Sequence, residues 1–266
     1  MLRAAKRGVK GALGLRPPGR ELRVFGDDAF IVSYPKSGNT WVRFMVGRLL
    51  GRSDSVGFAN IEALVPDIYQ HTERRLLAMP RPRFLKSHEY FDQRYRRSVY
   101  VVRDPRDVLV SYFHYHLKMG RIPRDFPLDG YARQFLEGRL DPFGTWREHV
   151  GGWLGARLGQ PDFLLVRYED LSADPGAELR RIAGLLDLPA DDAALEAAVA
   201  GASADAMRES ERREAGRWKP LRNSRGDGTF VRRAAVGGWR EELPPALAAE
   251  VQTAWGDLMT ELGYHG

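Results

Sequence analysis

The sequence predicts an α/β protein with a central parallel sheet flanked by helices, and three observations carry that expectation. Three times a short apolar run of strand-forming residues ends in polar residues and is followed by a segment with helical spacing. The three runs are Phe30-Ile31-Val32, Ser98–Arg103 and Phe163–Val166. Strands alternating with helices imply crossover connections, hence a sheet of about four or five strands with ligands at the strand ends.

At 266 residues, 43% hydrophobic and 29% charged, the chain suits one α/β domain with a sizeable core, expected over residues 21–266. Cysteine is absent, which removes disulfides, a thiolate nucleophile and cysteine-based metal sites and suits a reducing cytosol. No apolar run approaches transmembrane length and no signal-peptide core is evident, so a cytoplasmic protein is expected. A net charge of +6 attracts anionic ligands, nucleic acid or acidic membranes without choosing among them. Residues 1–20, with six Lys or Arg, read either as a solvated terminus or as a basic arm touching a membrane surface or substrate.

The stretch Phe30–Leu50 carries the sharpest chemistry. The first strand breaks at Tyr34-Pro35, where proline removes a ladder donor, and Trp41, Phe44, Met45 and Leu49 then recur at helical spacing. Free N–H groups in the first turn of that helix, and its dipole, favour an anion. Lys36 adds a positive charge, and Ser37, Asn39 and Thr40 add side-chain donors. The predicted ligand is a phosphate or sulfate ester. Lys36 precedes the loop's only glycine, Gly38, whereas the nucleoside-triphosphate loop places its lysine after the second glycine. The order is wrong for ATP.

Residues 51–82 and 120–129 are candidate acceptor-binding loops without diagnostic chemistry. Arg83–His88 reads as a strand ending in Lys86-Ser87-His88, with His88 either in the crevice beside Lys36 or merely capping. Ser98–Arg103 leads into a helix capped by Asp104, with Pro105 in its first turn. Arg103 can fork onto a phosphate or pair with Asp104 or Asp107, and Ser111 can offer its hydroxyl to the same phosphate. Helices follow near Tyr131–Leu140 and Thr145–Leu158, with Trp146 and Trp153 assigned to the core. Phe163–Val166 runs into Arg167-Tyr168-Glu169-Asp170, a poor mimic of a magnesium-binding element because an arginine intervenes. Further helices are expected at Pro175–Leu186, Asp191–Val199, Ser203–Glu214 and Pro245–Leu262. The basic loop Arg212–Arg225 leads to Phe230–Trp239, whose Arg232-Arg233 and Gly237-Gly238 suit a backbone wrapped around a phosphate. A basic RNA-binding loop is the rival reading, but no interleaved aromatic platform accompanies it.

Taken in order, these blocks resemble the sulfotransferase family that uses 3′-phosphoadenosine 5′-phosphosulfate (PAPS), particularly its cytosolic type. Tyr34–Trp41 resembles the 5′-phosphosulfate loop, and Lys86-Ser87-His88 the segment with the catalytic histidine. Arg103–Asp107 with Ser111-Tyr112 resembles the 3′-phosphate block, and Phe230–Trp239 the loop closing over it. The resemblance implies a P-loop-like fold in which Lys36 and the amides around Ser37, Gly38, Asn39 and Thr40 hold the 5′-phosphate. It implies Trp41 and Tyr168 against adenine, and Arg103, Ser111, Arg232, Arg233 and the Gly237 backbone at the 3′-phosphate. His88 is the implied base, with Lys36, Lys86 and Ser111 as further catalytic groups.

Three features depart from the family pattern. Ala204 stands where an aromatic is usual, Arg233-Ala234 replaces Lys-Gly, and the dimerisation pattern common in animal relatives is missing after Trp239. The resulting expectation is metal-free transfer of a sulfuryl group from PAPS to a hydroxyl, or as second choice an amine, of a small molecule or glycan, with no nucleic-acid partner. The rivals are a magnesium- and ATP-dependent phosphoryl transferase and a non-catalytic binder of acidic polymers.

Overall fold

The computed structural model describes residues 17–51, 56–214, 225, 231–232 and 235–265. Four strands, β1 (Ala29–Ser33), β2 (Phe84–Ser87), β3 (Arg97–Val102) and β4 (Phe163–Arg167), form one all-parallel sheet in the order β2-β1-β3-β4. Val32 lies opposite Ser87 on one side and Tyr100 on the other, so β1 is central and its carboxyl end is flanked by those of β2 and β3. The chain first leaves β1 for β2 and then crosses back to β3. Strand order therefore reverses beside β1, which is where an open parallel sheet offers a crevice.

The helices between strands are α1 (Asn39–Gly51), the short α2 (Ile61–Leu64) and α3 (Glu73–Leu77), α4 (Pro105–Lys118), α5 (Leu128–Leu136) and α6 (Trp146–Arg157). After β4 come α7 (Tyr168–Ala173), α8 (Pro175–Leu186), α9 (Asp192–Gly201), α10 (Ala204–Glu214), α11 (Trp239–Glu242) and α12 (Pro245–Glu261). Asp104 caps α4 by accepting the Arg106 N–H, with Pro105 at the first position as expected. Thr145 and Glu148 close a reciprocal capping box that starts α6. The strand runs one residue past Val166, to Arg167, and a helix begins directly at Tyr168.

Side chains alternate along the strands, so the sheet is buried on both faces. Phe30, Val32, Tyr100 and Val102 pack with Tyr131, Phe135, Trp146, Trp153 and Trp255. Ala29, Ile31, Val99 and Val101 pack on the other face with Val42, Met45, Leu179 and Ile182. Trp146 and Trp153 are fully buried, which is the core role expected of them. Beneath the amino ends of β1 and β2, Arg83 makes a forked pair with Asp28 (2.8 and 2.5 Å) and also donates to the Leu76 and Arg23 carbonyls. The expected basic arm falls outside the described residues up to position 16, and Gly19–Glu21 form a single 3-10 turn.

Candidate active site

The loop from β1 to α1 is bent by two residues with positive φ, Lys36 at 70° and Gly38 at 102°. A left-handed lysine costs about 1–2 kcal/mol, so the surrounding structure must hold it there. Gly38 is obligatory for a second reason: a Cβ at that position would sit 2.5 Å from Cδ2 of the Tyr168 ring. The N–H groups of Gly38, Asn39 and Thr40 meet no acceptor among the described residues, as at an open helix N-terminus. Asn39 ties the turn down by donating from Nδ2 to the Ile31 carbonyl (3.1 Å) and Ser33 Oγ (3.3 Å).

Lys36, Gly38, Asn39, Thr40 and Trp41 line a cleft of about 520 Å³ at the carboxyl ends of the strands, and Lys86, His88, Arg103, Ser111, Tyr168 and Arg232 line the same cleft. Ser37 is fully buried and does not line it. Burial, with Arg103, Lys118, Lys86 and Arg232 nearby, pushes the Lys36 ammonium down to about 7. Burial and like charge both disfavour the ammonium there, and an anionic ligand would favour it. Three cleft-lining residues also have buried polar atoms without a partner among the described residues, Asn39 Oδ1, Trp41 Nε1 and Arg103 Nε, which fits a polar ligand there.

His88 follows β2 directly. Its Nδ1 lies 2.7 Å from the Ser33 carbonyl oxygen, so Nδ1 carries the proton and the Nε2 lone pair is left for another group. Burial and the charge of Lys86 hold its pKa well below the ordinary imidazole value, so the ring is neutral at pH 7. Its backbone is also fixed: the His88 N–H donates to the Tyr69 hydroxyl (3.1 Å), and the His88 carbonyl accepts from His149 Nε2 (2.9 Å). Lys86 pairs with Asp67 at 2.8 Å inside the cleft.

At the other end Arg103 closes β3. Its guanidinium lies 4.1 Å from the centre of the Tyr168 ring, donates to the Ala235 carbonyl (2.7 Å) and stands 3.5 Å from Asp107. Of the two aspartates considered for it, Asp104 is taken by Arg106 at 2.7 Å. Asp107 accepts the Gly237 N–H (2.8 Å) and the Trp239 N–H (2.9 Å), which clips the C-terminal segment to α4. Arg232 pairs with Glu242 at 2.5 Å, and Arg208 donates to the Val231 and Arg232 carbonyls. Arg233 lies outside the described residues.

A family model described as "Sulfotransferase domain" matches residues 26–263. The chain belongs to the sulfotransferase family. Human sulfotransferase 2B1 is 29% identical over 239 residues, which make up 86% of this chain and 65% of that protein. Dog sulfotransferase 1B1 is 27% identical over 230 residues, 80% of this chain and 77% of that one. Among solved structures, mouse sulfotransferase SULT7A1 complexed with PAP superposes with a TM-score of 0.72 at 22% identity, covering 92% of this chain and 89% of that chain. Retinol dehydratase in complex with androsterone and PAP gives 0.74 at 19% identity, covering 91% and 83%. These two likenesses concern the fold.

Seen as a sulfotransferase, the chain has cleft-lining groups that sequence reasoning missed. Trp41 and Tyr168 meet edge to face at 5.7 Å, and Ala202, Ala204 and Met207 line the cleft with them, so Met207 supplies apolar bulk near the alanine. Asp67, Tyr69 and Gln70 come from the first loop suggested for an acceptor. The second suggested loop contributes Arg121, whereas Asp141, Pro142 and Phe143 lie in the connection between α5 and α6, outside both suggested ranges. Only a helix-to-helix turn is visible there in sequence, and nothing in its spacing relates it to β2.

Proposed function

We propose that this protein transfers the sulfuryl group of PAPS to a hydroxyl of a small-molecule acceptor and releases 3′-phosphoadenosine 5′-phosphate (PAP). The observation that carries this reading is one cleft lined by Lys36 at a helix N-terminus, by Arg103 beyond the Tyr168 ring, and by a neutral His88. PAPS carries anionic groups at both ends of an adenosine, which suits two separated cationic holds. The Trp41, Tyr168, Ala204 and Met207 side chains give the base an apolar slot.

In this reading the acceptor oxygen attacks sulfur in line, the S–O bond to the 5′-phosphate breaks, and the acceptor proton passes to His88 Nε2. The Ser33 carbonyl keeps the other ring proton on Nδ1, so Nε2 is ready as a base without a tautomer change. Lys36 and the unbonded N–H groups of Gly38, Asn39 and Thr40 offset charge growing on the leaving phosphate. Arg103, Ser111 and Arg232 hold the 3′-phosphate, with Arg232 exchanging its Glu242 partner for that anion. Lys86, already neutralised by Asp67, contributes to the sulfuryl oxygens.

Small-molecule acceptors are supported by what relatives are named for: a guinea-pig relative is a 3-beta-hydroxysteroid sulfotransferase, and retinol dehydratase has been solved with retinol and PAP. Titration calorimetry with PAP, AMP and magnesium-ATP tests the reading, together with PAP release from PAPS in the presence of a panel of alcohols. PAP should bind at least about tenfold more tightly than AMP, the worth of one charge-assisted contact to the 3′-phosphate. Equal binding of ATP and PAP would favour a phosphoryl transferase instead.

A further inference from the structure

The backbone of His88 is held by groups that lie outside the cleft. β2 ends at Ser87, so the carbonyls of His88 and Glu89 lie past the sheet ladder and need other donors. Both are met from α6: His149 Nε2 lies 2.9 Å from the His88 oxygen, and Trp153 Nε1 donates to the Glu89 oxygen at 3.0 Å. His149 and Trp153 are one helical turn apart, so a single face of α6 offers two donors to two successive carbonyls. Both side chains are fully buried, and neither lines the cleft.

The proton order along this contact is fixed. A carbonyl oxygen can only accept, so His149 Nε2 carries the proton and Nδ1 is bare; the Tyr100 hydroxyl, 2.8 Å from Nδ1, therefore donates to it. Burial pushes the His149 imidazole down to about 4, so the ring is neutral at pH 7 and the order stands. The chain runs from the Tyr100 hydroxyl in β3, through His149, to the carbonyl of the residue after β2. The His149 ring also meets Tyr34 edge to face at 5.6 Å, and the peptide bond entering Tyr34 supplies the Ser33 carbonyl that receives His88 Nδ1. His149 thus bears on the His88 backbone and, through Tyr34, on the partner of its ring. We propose that His149, oriented by the Tyr100 hydroxyl, is the positioning residue that holds His88 Nε2 toward the acceptor oxygen. This inference rests on the sulfuryl-transfer reading and adds to it the groups that aim the base.

Long-range proton–nitrogen NMR reads the chain on the native protein: His149 should appear as the Nε2–H tautomer and His88 as the Nδ1–H tautomer. Turnover is read as PAP release from PAPS with 2-naphthol as the probe acceptor. His149→Phe, which keeps a flat ring but removes the donor, should lower kcat about 10- to 100-fold with PAP affinity within about twofold of native. His149→Gln, whose amide can donate to the same carbonyl, should recover most of that loss. In a His88→Ala background, His149→Phe should cost less than about twofold, because no base remains to be aimed. If His149→Phe does not fold, Tyr100→Phe, which removes one oxygen atom, takes its place in the same cycle. If 2-naphthol is not sulfated, loss of the single Nδ1–H tautomer of His88 in His149→Phe supports the assignment, and an unmoved His88 signal overturns it. An Nδ1–H tautomer at His149, native kcat in His149→Phe, or an equal loss with and without His88 would each overturn it as well. Native turnover in His88→Ala alone would instead strike the reading of His88 as the base.

Discussion

Raising the pH should loosen the grip on PAP, because Lys36 is a lysine that titrates near neutrality. Its ammonium sits among Arg103, Lys118, Lys86 and Arg232 in a desolvated loop, which pushes it down to about 7. A bound phosphate favours the charged form, so binding takes up a proton wherever the free protein has lost it. The sign follows: below its depressed pKa the lysine is already charged and PAP affinity is level, and above it affinity falls as pH rises. Between about pH 7.5 and 9, where the phosphates are already fully ionised, the PAP dissociation constant should increase about ten- to twentyfold. Calorimetry in two buffers of different ionisation enthalpy reads both the affinity and the proton taken up. Lys36→Arg, which does not titrate in this range, should flatten the profile. A level profile in the native protein would refute the reasoning, and an unchanged slope in Lys36→Arg would move the titration to another group, with Lys86 the first to examine.

Replacing His88 by alanine should lower kcat about 10²- to 10⁴-fold while PAP affinity changes little, measured by PAP release and calorimetry; comparable turnover would remove the imidazole as base. Gly38→Ala should abolish PAP binding, because the new methyl meets Tyr168 at 2.5 Å and the backbone keeps φ at 102°; retained binding by calorimetry would mean that the loop tolerates a different path. Asp28→Ala, far from the cleft, should destabilise the fold by about 3–5 kcal/mol in urea titrations by leaving Arg83 charged and unpaired in the interior, and a loss below about 1 kcal/mol would show that water reaches Arg83.

The sheet was readable because its strands are short apolar runs with polar stops, and each of the four observed strands coincides with a predicted one within a residue or two. The anion loop was readable for a related reason: proline, lysine, glycine and small polar residues lie within eight consecutive positions. Asp107 illustrates what was not. In sequence it is one more acidic residue in the first turn of a helix and a candidate ion-pair partner for Arg103. Its two bonds to Gly237 and Trp239 join segments 130 and 132 residues apart, which no local pattern encodes. The end of the cleft around His88 suffers similarly. Tyr69, His88 and Phe143 come from three separate connections, and their convergence is a product of the parallel crossovers rather than of any motif. Ser37 is the converse case: a hydroxyl in the right loop that the turn directs into the interior.

The Tyr168 ring has a consequence for ligand length. The ring leaves no room for a methyl on Gly38 and has the Arg103 guanidinium over it at 4.1 Å, so in the proposed reading a single plate stands between the holds for the two ends of the ligand. In that reading a molecule with only one anionic terminus would engage one hold and leave the other unsatisfied, so the site would measure its donor by length before any chemistry begins.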